Sequence, residues 1–193
     1  MNDSTIHSSI REVLAQGELL LGVLDDSAYA AKIPQAFNSS IGAHYRHCLD
    51  HFRSLFDGFE TGEINYDRRQ RDARVETSRL IALNQTWDLL QMSERVSGWT
   101  LSDSIRVQSK LSYAIEESPA AVSSLGRELM YCVAHAIHHY ALIRVMVGML
   151  GVSLPGGFGI APATLKHREA ASPTTSRIPE LAGCQEDIQQ RAA

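Results

Sequence analysis

Several things are scarce in this sequence. Six prolines and thirteen glycines in 193 residues leave no room for a fibrous or low-complexity chain. Three cysteines, Cys48, Cys132 and Cys184, cannot all pair, and their spacing suggests no disulfide framework. A reducing cytoplasm is the expected compartment. Cationic charge is sparse as well: eighteen Lys and Arg against twenty-two Asp and Glu give a net charge of −4. Broad contact with duplex nucleic acid needs dense Lys and Arg, so no nucleic-acid partner is expected. The most apolar run, 140 to 150, is interrupted by Arg144 and is well short of the ~20 residues of a membrane span. The start, MNDSTIHSSI, lacks a basic segment followed by an apolar run, so neither a secretory signal nor a membrane partner is expected.

What remains is ordinary globular composition, 44% apolar and 21% charged. Ile6, Ile10, Val13, Leu14, Leu20, Leu21 and Leu24 recur at helical spacing and predict a first helix over 4 to 24. Ser39 or Ser40 can cap a second helix running to residue 60, with Gly62 as its stop. Residues 62 to 75 are polar and arginine-rich and read as a loop. A third helix is expected over 76 to 96, stopped by Gly98, with Leu80, Leu83, Trp87, Leu90 and Met92 in the core. Ile105, Val107, Ser109, Leu111 and Tyr113 alternate with polar residues, the period of a half-buried strand, so a short hairpin or extended crossover is expected over 100 to 122. Ser123 or Ser124 caps a fourth helix over 125 to 150, closed by Gly151. Pro162 opens a short helix, and residues 170 to 193 read as a mobile tail. The fold class expected is all-α: a four-helix bundle over 1 to 169, with a long crossover between its third and fourth helices.

Histidine is the informative residue. Six of the eight form two clusters: His44, His47 and His51, and His135, His138 and His139. At about 100° per residue, His51 and His44 fall roughly 40° and 60° from His47, on the border of the apolar stripe of the second helix. On the fourth helix His139 lies about 40° from His135, while His138 points to another sector. His135 and His139 are an i, i+4 pair, and both can reach one ion. A third imidazole from the second helix would leave an open position for water, the pattern of a catalytic metal. Ala136 follows His135, so there is no HExxH, and no Glu-x-x-His pattern points to a di-iron bundle.

The segments HAIHHYALI and SIGAHYRHCLDHF resemble the metal-ligand helices of the DinB-like family of metal-binding four-helix bundles. The likeness spans most of residues 5 to 168. It implies three metal-binding histidines, His47, His135 and His139, with His44 and His51 as competitors for the place of His47. It also implies a metal-dependent hydrolase or a transferase using a low-molecular-weight thiol; the alternative is a non-catalytic metal- or ligand-binding stress-response bundle. Where that family often has Arg-Gly after its paired histidines, this chain has Tyr140 and Ala141.

The expected cofactor is a divalent transition metal, zinc first, with nickel, iron or manganese as substitutes, and with it a low-molecular-weight thiol. Glu128, two turns before His135, is the candidate base or hydrogen-bonding support for a bound imidazole; a first-turn acid opposing the helix dipole is its plainer reading. Asp50 can orient an imidazole or pair with Arg46. Tyr131 can donate to a substrate oxygen or pack in the core. Cys48 and Cys132 read as packing residues. Among Arg68, Arg69, Arg71 and Arg74, the pair Arg69 and Arg71 is the candidate anion clamp, set against a solvated ion-pair network. The fourth helix is apolar nearly all round, which predicts a homodimer, and a small-molecule substrate completes the expected partners.

Overall fold

The computed structural model describes residues 3 to 95 and 100 to 171. Helix α1, Asp3–Val23, presents Ile6, Ile10, Val13, Leu14, Leu20 and Leu21 to the core, following its 3.6-residue period. Asp25 caps the short α2, Asp26–Ala30, by accepting from the Ala28 N–H at 2.7 Å. A 3-10 turn at Pro34–Ala36 leads to α3, Ile41–Phe59, which Ser40 caps by accepting from the Ala43 N–H. Strand β1, Glu63–Asn65, follows. A short helix, α4, Ala73–Thr77, forms mostly within the stretch read as a loop, and the helix expected over 76 to 96 is α5, Arg79–Arg95, which begins after Ser78 in extended conformation. Strands β2, Ser104–Gln108, and β3, Ala120–Ser124, precede the 25-residue α6, Leu125–Met149. Gly151, at φ +74°, ends that turn in the left-handed region. Helix α7, Pro162–Ala171, belongs to a separate compact unit that begins at Pro162.

Helices α1, α3, α5 and α6 pack around one core, α1 and α3 each lying against both α5 and α6. A plain all-α bundle is nevertheless not the fold. β1 pairs in parallel with β2, Ile64 opposite Val107, and β2 pairs antiparallel with β3, Ile105 opposite Ser123. This mixed three-stranded sheet makes the molecule α/β. β1 comes from the stretch read as a polar loop. Three residues are too few to show a period. Only the burial of Ile64 and Tyr66 against the helices reveals why that segment is extended.

Three further expectations are corrected. Leu80 and Trp87 are 66% and 47% exposed rather than core, because α5 turns that side outward. Leu111 and Tyr113 lie beyond β2 and are exposed, so the alternation there runs past the end of pairing. α6 is not buried on both sides: Met130, Leu142, Val145 and Met149 face outward. The expected stop at Gly98 and most of the expected tail lie outside the described residues.

Candidate metal centre

The cap at Ser40 starts α3, and Ser124, accepting from the Arg127 N–H, starts α6. The two helices pack with His44 against His139 and His51 against His135, so they run antiparallel. His47 sits between, its ring centroid 4.9 Å from that of His135 and 4.6 Å from that of His139. His47, His135 and His139 each offer a nitrogen, all within 4.8 Å of one another, and all three rings are part-buried. The Nε2 atoms of His47 and His135 are 2.9 Å apart.

The other two α3 histidines take different places. His51 Nδ1 lies 2.8 Å from the His47 carbonyl. A carbonyl can only accept, so Nδ1 carries the proton and Nε2 keeps its lone pair. His44 Nδ1 is 3.1 Å from His139 Nδ1, leaving His139 Nε2 free. His138 is exposed and outside the ligand triplet.

Burial is the main cause of the electrostatics. It lowers the His47 pKa to about 2, with repulsion from His51 and Arg69 adding to it. Burial likewise holds His51, His135 and His139 near 4. His44 is lowered for the same reason. Near neutral pH these rings carry no charge, the form in which imidazole binds a metal.

The arginine-rich loop contributes one side chain. Asn65 Oδ1 accepts from the backbone N–H groups of Asp67 and Arg68, turning the chain so that Arg69 faces α3. Arg69 Nη1 donates to His47 Nδ1, and Arg69 Nε is buried with no hydrogen-bond partner. Arg71 is exposed, at φ +51°, and joins no such contact. Arg74 pairs with Asp72 at 2.7 Å. Asp50 pairs with Arg46 at 2.5 Å and supports no imidazole directly.

Glu128 is buried and accepts from Tyr66 Oη at 2.9 Å and from Ser123 Oγ at 2.6 Å. Its hydrogen bond to Tyr66 links it to the histidines, because Tyr66 stacks on His51 at 5.2 Å. Tyr131 stacks on His135 at 5.5 Å. Burial raises both thiols, Cys132 to about 12, so Cys48 and Cys132 stay protonated packing residues. Sequence reasoning missed Tyr66 altogether. Its signal, the two-residue step from Ile64 to Tyr66, is too short to notice.

No family model matches this chain, and no solved structure matches it. The chain is 36% identical over 104 residues to FK506-binding protein 5 of Rhizopus delemar. That match covers 54% of this chain, and the chain spans about a quarter (27%) of the relative's length. The similarity is therefore to a protein of that name over part of its length, and it runs against the DinB-like resemblance. The hydrolase, thiol-transferase and stress-response readings came with that resemblance, and they fall with it. The three-histidine cluster stands as geometry and is not by itself evidence of catalysis.

Proposed function

We propose that this chain holds one divalent transition-metal ion at His47, His135 and His139. One observation carries the reading: three neutral imidazole nitrogens from two antiparallel helices within 4.8 Å of one another. Tetrahedral zinc, with Zn–N near 2.0–2.1 Å, sets its nitrogens about 3.3 Å apart, so small ring rotations close the site. The donor set is all nitrogen and suits zinc first, with nickel or iron as substitutes; manganese, which prefers oxygen donors, fits it less well. Elemental analysis of full-length protein purified without a histidine tag should give about one ion per chain after reconstitution. His139→Ala should abolish that stoichiometry while circular dichroism stays unchanged. A ratio near zero in the unaltered protein would remove the reading.

The similarity to FK506-binding protein 5 favours a second reading: this chain binds FK506, as the relative's name says of that protein. A cavity of about 370 Å³ lined by Tyr66, Val107, Leu111, Pro119, Val122 and Tyr131 is the place for such a ligand. Calorimetric titration with FK506 tests it, and no saturable heat at tens of micromolar ligand would end it. A homodimer is proposed through the outward apolar residues of α6. Light scattering that shows a monomer at micromolar concentration would contradict it.

A further inference from the structure

Two hydrogen bonds assign the tautomer of His47. Arg69 can only donate, so the Nδ1 it meets must be a lone pair, and the ring proton sits on Nε2, directed at His135 Nε2. Binding an ion at Nε2 requires the opposite tautomer, with the proton on Nδ1. That proton then faces the Arg69 N–H groups, and the contact becomes donor against donor. The guanidinium, whose Nε is already buried without a partner, needs another acceptor.

The neighbouring acceptors are few. Asp50, the strongest favourable charge on Arg69, acts at a distance: its Oδ2 accepts from Arg46, which also holds Glu76 at 2.8 Å, and no hydrogen bond joins it to Arg69 among the described residues. Asp67 accepts from Ser118 Oγ and from the Lys110 N–H. Arg71 and Arg46 add only like charge.

We propose that ion binding at His47 turns Arg69 from a partner of that ring into the donor for a small carboxylate ligand beside the ion, so that metal and carboxylate bind cooperatively. The inference rests on the metal reading above and names the ligand class of that site. A monoanion fits better than a phosphate, because one uncommitted guanidinium faces the cluster and its fork matches a carboxylate edge. The coupling is reciprocal: the carboxylate tightens the metal by the same factor.

The test uses full-length protein loaded with cobalt(II), whose visible spectrum reports ligand binding, and benzoate as the probe. Benzoate should perturb the spectrum saturably, at least tenfold more tightly than in Arg69→Gln. Arg69→Lys, which keeps the charge and loses the fork, should fall between the two. Nitrogen-15 NMR of the His47 ring should show the proton on Nε2 without metal and on Nδ1 with zinc. Equal benzoate affinity in the unaltered protein and Arg69→Gln, or an unchanged tautomer, overturns the proposal while stoichiometric cobalt leaves the metal reading standing. Failure of cobalt to bind at all overturns both.

Discussion

At the scale of single residues, the decisive property is that the clustered imidazoles are neutral. His51, His135 and His139 titrate near 4 in the folded chain, against an ordinary value of 6.5. As pH falls below 6.5 the unfolded chain takes up protons first. Their contribution to stability is therefore complete above about 6.5 and is lost progressively toward 4. Urea midpoints measured from pH 7.5 to 4.5 should fall steeply across that window, and the same protonation should release a bound metal. A flat profile would contradict the buried, neutral cluster. Glu128 illustrates a buried acid with full employment, its oxygens accepting from Tyr66, Ser123 and Arg127. Glu128→Ala strands two hydroxyls, and a loss of roughly 2–4 kcal/mol in chemical denaturation is expected.

At the scale of elements, close approach decides more than propensity. A Cβ at Gly42 would meet the Glu76 carbonyl oxygen at 2.0 Å, so α3 and α4 touch backbone to backbone there. The contact sets the height of α3, and with it His44 and His47. Gly42→Ala should cost about 2–4 kcal/mol by forcing the backbone apart. It should also weaken metal binding, measurable by competition with a zinc indicator. The two long histidine-bearing helices were readable from their apolar period and serine caps, because both signals are local. The short α4 was not, since it lies mostly in the polar stretch read as a loop and ends within five residues at Ser78, where the backbone is extended. Likewise β1 is defined by its pairing with β2, Glu63 opposite Arg106, which no short window contains.

At the scale of the whole molecule, an ion that binds only the folded chain stabilises it by mass action. At a hundred times its dissociation constant that is about 2.7 kcal/mol. For a unit of this size, zinc should raise the melting temperature by roughly 5–10 °C. Chelation should reverse the rise, and His139→Ala should show none. Among the described residues no helix is long and apolar enough to cross a membrane.

The sequence by itself determined the long helices, their caps and the grouping of histidines on two helix faces, because i, i+4 spacing and capping act within a turn or two of chain. It left open which α3 histidine joins the pair on α6, since His44, His47 and His51 share one sector of the helix. Tertiary structure decided that, setting His47 between the α6 rings, His44 behind His139 and His51 against Tyr66. It also decided the sheet and the choice of Arg69 among four loop arginines. Those outcomes depend on which distant backbone groups pair and which side chains lose water together, and neither is encoded at any fixed separation along the chain.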